Sequence, residues 1–188
     1  MRVLAVDPGL TRCGIGIIEG VPGKATELLF AGVIRTPTEL ETGQRLARIE
    51  SELVQFLAEY RPDAIAVERV FARRDVSTII GTAQASGVVL LVGTRAGLPV
   101  VEHTPTEVKA AITGSGRADK AQVGAMVKRI LKLDAAPRPA DAADAVALAV
   151  CHLWRAPALA RIEKARIRRE LADGVARSRA RAAERRRA

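Results

Sequence analysis

Two short apolar runs in this chain each close on a single carboxylate: Val3-Leu4-Ala5-Val6 on Asp7, and Ala64-Ile65-Ala66-Val67 on Glu68. An unbroken apolar run of four or five residues reads as a strand buried on both faces, and such a strand needs helices above and below its sheet. Folds of that kind build their sites just beyond the carboxyl ends of the strands. The chain is thereby constrained to an α/β architecture with two acids where chemistry collects.

The rest of the chain supplies the other elements. Arg2–Asp7 is expected to be the first strand, Pro8 to Arg12 a turn, Cys13–Glu19 the second strand and Ala25–Thr36 the third. The links between them are short, which favours an antiparallel meander. Apolar residues recur at helical spacing from Thr42 to Tyr60, and Arg61-Pro62-Asp63 stops them. After the strand Ala64–Glu68, Val76–Ala96 reads as an apolar helix weakened by three glycines, and Leu98–Glu102 as a fifth strand. Thr104, Pro105 and Glu107 stand in register as a helix start, which ends near Gly114-Ser115-Gly116. Asp119 caps a helix over Lys120–Lys132, and Asp141–Trp154 forms an Ala-rich helix able to lie close on a sheet.

Of the net charge of +9, residues 155–188 carry +8, through twelve Lys or Arg against four acids. The folded body is nearly neutral, so a high overall pI says nothing about whether that body binds a polyanion. Residues 1–154 are expected to form one domain. The few large aliphatics of residues 155–188 predict a basic tail, partly helical or disordered. No uninterrupted apolar run reaches the roughly 18 residues of a membrane helix, and no signal peptide opens the sequence, which predicts a cytoplasmic protein without membrane contact. Cys13 and Cys151 lack metal-ligand spacing and are expected to be buried free thiols.

Asp141 and Asp144 are three residues apart, so on a helix they share one face and can point toward the strand ends that carry Asp7 and Glu68. Three or four carboxylates in one place repel one another unless cations neutralise them. Oxygen-only ligands suit a hard divalent ion such as Mg²⁺ or Mn²⁺. Two ions roughly 3.5 to 4 Å apart can serve the attacking water and the leaving oxygen of a phosphodiester. Taken singly, each acid has a simpler explanation: a turn for Asp7, a surface ion pair for Glu68, a cap or dipole partner for Asp141 and Asp144.

Four segments together, Asp7-Pro8-Gly9-Leu10-Thr11-Arg12-Cys13-Gly14-Ile15-Gly16, Glu68-Arg69-Val70-Phe71, Asp119-Lys120-Ala121-Gln122-Val123 and Asp141-Ala142-Ala143-Asp144-Ala145, resemble the RuvC family. These are the bacterial Holliday-junction resolvases of the RNase H-like superfamily. The resemblance covers residues 1–154. It implies an RNase H-like mixed five-stranded sheet, three antiparallel strands followed by two parallel ones, flanked by helices. It makes Asp7, Glu68, Asp141 and Asp144 the catalytic, metal-binding acids of a homodimer holding two Mg²⁺ per subunit, with Mn²⁺ as a substitute. It further implies symmetric nicks in four-way junction DNA that leave 5′-phosphate and 3′-hydroxyl ends, and the branch-migration proteins RuvA and RuvB as partners.

By the same resemblance Phe71 stacks on an unpaired base beside Arg73 and Arg74, a contact worth about 1 to 3 kcal/mol. Lys109 and Lys120 lie near the scissile phosphate. Arg69 and the long Arg-rich extension depart from the family pattern. His103 and His152 receive no role, and Trp154 is expected to pack at a helix end. Three alternatives stand beside this reading. An actin-like or sugar-kinase-like phosphotransferase shares the Asp-x-Gly-x-Thr hairpin, but 188 residues leave little room for its second domain. A catalytically inert DNA-binding protein would need none of the four acids. A different RNase H-like nuclease is the nearest competitor.

Overall fold

The computed structural model of the protein describes residues 1–70 and 76–185. Three strands, β1 (Arg2–Asp7), β2 (Arg12–Gly20) and β3 (Thr26–Arg35), form an antiparallel meander. Helix α1 (Thr42–Tyr60) leads to β4 (Ala64–Glu68), α2 (Val76–Arg95) to β5 (Val100–His103), and α3 (Pro105–Thr113), α4 (Lys120–Ile130) and α5 (Ala140–Arg185) follow. The sheet order is β3-β2-β1-β4-β5, with β4 parallel to β1 and β5 parallel to β4. This is the mixed sheet expected from the sequence. The chain divides into two compact units, Met1–Trp154 and Arg155–Ala188.

Strand parity sorts the core of the first unit into two clusters. Leu4, Val6, Ile15, Ile17, Ile65 and Val67 pack with Ile49 and Leu53 of α1 and Ala85 and Val89 of α2. Val3, Ala5, Ile18 and Ala66 pack on the opposite side with Val108 of α3, Val127 of α4, and Val146, Ala149 and Leu153 of α5. Because side chains alternate along a strand, Asp7 shares the side of Val3 and Ala5, and Glu68 the side of Ala66. Both acids therefore face the α5 side.

Strand boundaries move by a residue or two from the sequence expectation, most at β5, which begins at Val100 and ends at His103. Pro99 cannot donate to a ladder, and its carbonyl accepts from Ile65 N instead. Helix α5 does not stop at Trp154. Ala and Arg are the strongest helix formers, so the residues after Trp154 hold a helix without the aliphatics a core would need. Within the second unit Arg166 pairs with Glu163 and Glu170 at helical spacing, and Ile162, Ile167 and Leu171 are exposed. Trp154, expected to pack, is 37% exposed.

The segment Ala140–Leu171 is long and apolar enough by composition to cross a membrane, although charged residues break it into shorter apolar runs. Half of its most apolar window is buried inside the protein, as a core helix requires. Cys13 and Cys151 are free and buried, and burial pushes the Cys13 thiol up to about 12.

The start of α3 follows the sequence pattern closely. Thr104 Oγ1 accepts from Glu107 N at 3.2 Å, and Thr104 N donates back to the Glu107 carboxylate at 2.8 Å, with Pro105 as the first helical residue. Thr104→Ala removes the cap from the helix that carries Lys109, and is expected to cost about 1 kcal/mol in a urea melt without altering the slope of the transition. An unchanged midpoint would show that the box is dispensable.

Candidate active site

β1 delivers Asp7 and its parallel neighbour β4 delivers Glu68, each as the last residue of its strand. From the opposite side, the first turns of α5 bring Asp141 and Asp144. All four line one cavity of about 830 Å³, together with Lys109 of α3 and Lys120 of α4. The structure thus assembles six of the nine residues singled out in the sequence. The other three, Phe71, Arg73 and Arg74, lie outside the described residues.

The close approach of α5 depends on two glycines of β2. Gly14 pairs with Asp7 and Gly16 with Ala5. A Cβ on Gly14 would stand 2.2 Å from the Asp141 carbonyl oxygen, and one on Gly16 would stand 2.6 Å from Val146 N. Only a strand without side chains at these points lets the helix backbone settle onto the sheet beside Asp7.

The charges explain one another. Burial, then the carboxylates of Glu68, Asp144 and Asp141, push the Asp7 carboxyl up to about 8, while Lys120 pulls the other way. Lys120 Nζ donates to Asp144 Oδ2 at 2.7 Å, and that bond holds the ammonium above its ordinary value against partial burial. Arg12 Nε donates to Asp141 Oδ2 at 2.6 Å. Two of the four acids are thus tied to cations of the protein itself, and Asp7 is left as the acid most in need of positive charge.

The donor set is chemically fit for a hard divalent ion, since it offers carboxylate oxygens only and leaves a buried acid raised by its neighbours. Among the described residues, no three His, Cys, Asp or Glu side chains stand close enough to ligate one ion without adjustment. Asp141 is paired with Arg12 and Asp144 with Lys120.

Arg12 went unassigned in the sequence, yet its signal was available. It opens β2 two residues before Gly14, so strand alternation aims it to the same side as Asp7. The two histidines also acquire a place. His103 Nε2 and His152 Nδ1 lie 3.0 Å apart and both rings are buried, joining the end of β5 to α5. Burial, and then the neighbouring His103, push His152 down to about 4, so the His152 ring is neutral near neutral pH.

Comparison with known proteins decides the family. The profile described as crossover junction endodeoxyribonuclease RuvC matches residues 3–152. The chain belongs to the RuvC family. RuvC of Streptomyces avermitilis is 62% identical over 165 residues, covering 88% of this chain and 94% of the relative. RuvC of Thermobifida fusca is 61% identical over 166 residues, covering 88% and 91%. Among solved structures, Thermus thermophilus RuvC in complex with a Holliday junction substrate is similar with a TM-score of 0.79 and 36% identity, over 83% of this chain and 94% of that one. As a RuvC-family member the chain is a crossover junction endodeoxyribonuclease, a phosphodiester hydrolase of DNA recombination and repair, and nucleases of this family are metal-dependent.

Proposed function

We propose that the chain works as a cytoplasmic homodimer that resolves four-way DNA junctions, each subunit cutting one strand with Asp7, Glu68, Asp141 and Asp144 as its catalytic acids. The observation that carries this reading is the convergence of those four acids with Lys109 and Lys120 on one cavity. The acids would hold two Mg²⁺ per subunit, with Mn²⁺ as a substitute, and bound metal there would supply activation of the attacking water and neutralisation of charge on the phosphate.

The chain's own residues prepare that chemistry. Asp7, protonated near neutral pH when no external cation is present, releases its proton to make room for positive charge. Lys120 and Arg12 hold the Asp144 and Asp141 carboxylates by charge-assisted hydrogen bonds at the wall of the cavity. Lys109 and Lys120 orient the scissile phosphate from the α3–α4 side, and fixed cations there stabilise the transition state without reorganising. A phosphodiester cut between phosphate and the 3′ oxygen leaves 5′-phosphate and 3′-hydroxyl ends.

Phe71 stacks on a base unpaired at the crossover, and Arg73 and Arg74 hold the adjoining backbone. The two-fold symmetry of a junction matches that of a dimer. RuvA and RuvB supply the branch-migrated substrate. The test is metal replacement: incubation with a labelled junction should yield nicks in Mg²⁺ or Mn²⁺ and none in excess chelator. Cleavage that persists in chelator would refute the metal assignment.

Residues 155–188 supply sequence-independent affinity for DNA through their excess positive charge. Truncation before Arg155 should weaken junction binding and flatten its dependence on salt, while leaving the position of the cuts unchanged. Unaltered affinity and slope would eliminate this role.

A further inference from the structure

Beside the catalytic cavity lies a second hollow of about 440 Å³, and the two share Thr11 and Arg12 as a common wall. Its remaining lining includes Arg35 at the end of β3, Thr36 and Thr38 in the following loop, and Arg48 on α1. Three arginines therefore line one hollow, with Glu39 the single acid among its lining residues. Among the described residues, Arg35 and Arg48 make no side-chain hydrogen bond or ion pair. Arg12 uses Nε on Asp141, and its two terminal nitrogens, which complete the planar fork of donors, make no bond to another described residue.

The hollow has a fixed shape. Thr36 is buried at 3% exposure; its hydroxyl donates to the Leu10 carbonyl and accepts from Arg45 Nε at 2.9 Å. Arg45 also donates to Thr11 Oγ1 at 2.6 Å. One arginine is thus spent holding the two threonines in place, while three others remain for an outside anion. Guanidinium donors match phosphate oxygens in pairs, and threonine hydroxyls are the usual neutral companions in backbone contacts.

We infer that this hollow is a phosphate-binding site for the DNA strand that continues out of the catalytic cavity, with Arg35 and Arg48 as its principal contacts and Arg12 linking the two sites. The inference rests on the nuclease reading above and extends it. Arg12 joins the two functions physically: its Nε fixes Asp141 while its free end meets the neighbouring phosphate. Engagement of the strand in the hollow then sets its register in the cavity.

The test uses the full-length protein with Arg35→Gln and Arg48→Gln combined, and a synthetic four-way junction bound in chelator across a salt series. Losing two phosphate contacts should flatten the slope of log affinity against log salt by about 1.5 to 2, and weaken binding at low salt roughly tenfold. Single-turnover cleavage in Mg²⁺ at saturating protein should show displaced or additional cut positions, because the strand has lost the contacts that set its register. Arg35→Lys with Arg48→Lys, which keeps both charges, should retain most of the slope. An unchanged slope overturns the inference. So does a changed oligomeric mass in the Gln variant, which would place the arginines between protein chains, or binding of an acidic peptide in preference to DNA. Failure of the unsubstituted protein to cut junctions at all would instead sink the nuclease reading, and the salt slopes would still report on the hollow.

Discussion

Asp7→Asn is expected to lower junction cleavage by at least about 10³-fold while leaving junction binding intact, because a carboxylate oxygen at the centre of the acid cluster is replaced by an amide that cannot neutralise a cation. Removing negative charge beside a phosphate does not impair docking. Loss of binding in parallel with activity would mean that Asp7 holds the fold rather than the reaction.

The same variant carries a second expectation, of opposite sign, for stability. Folding raises the Asp7 carboxyl from 3.8 to about 8. Between those values the folded protein holds a proton that the unfolded chain has released. In chelator, therefore, the folded state loses stability as pH rises through that window. Asn has no proton to lose. The melting temperature of Asp7→Asn in chelator should exceed that of the unsubstituted chain at pH 8, by roughly 5 °C, and the gap should close toward pH 4. His152, held neutral by burial, destabilises the fold in the opposite direction as pH falls below its ordinary 6.5, but it is common to both proteins and cancels in the difference. Parallel curves at every pH would contradict the picture of an acid strained by its neighbours.

Gly14→Ala carries the second large effect. Its Cβ would stand 2.2 Å from the Asp141 carbonyl oxygen, and ordinary contact begins near 3.4 Å, so α5 must retreat by more than about 1 Å at one of the four proposed catalytic acids. A displacement of that size in a catalytic group costs on the order of 10²-fold in rate. Overpacking adds about 1 to 3 kcal/mol of destabilisation. Single-turnover cleavage at saturating protein, read beside a urea melt, checks both. A variant with unaltered cleavage would show that the glycine does not set the approach of the helix.

The acids were legible because each broke a local rule: a carboxylate at the end of an apolar strand, or a pair of them opening an Ala-rich helix. Parity then fixes which side of the sheet Asp7 and Glu68 occupy, and the sheet itself follows from short links and apolar runs. The pairings Arg12–Asp141 and His103–His152 escaped the sequence because they join residues 129 and 49 positions apart, and although strand alternation gives the side on which Arg12 lies, nothing local names its partner. The residues after Trp154 read from the sequence as partly helical or disordered, without a choice between the two. Counting aliphatics measures what a segment can bury, whereas Ala and Arg make a helix by backbone propensity alone. The shift of β5 to Val100–His103 matters more for function, since it sets His103 opposite Glu68 in the ladder.

The central claim is that four carboxylates in one cavity cut junction DNA, and the most direct measurement maps the cuts. Each of the four strands of a synthetic junction is end-labelled in turn and incubated with the protein in Mg²⁺, beside a linear duplex of the same sequence and the Asp7→Asn variant. The account predicts paired nicks at symmetry-related positions across the crossover, none in the duplex and none from the variant. Binding without cutting, or equal cutting of the linear duplex, would contradict it.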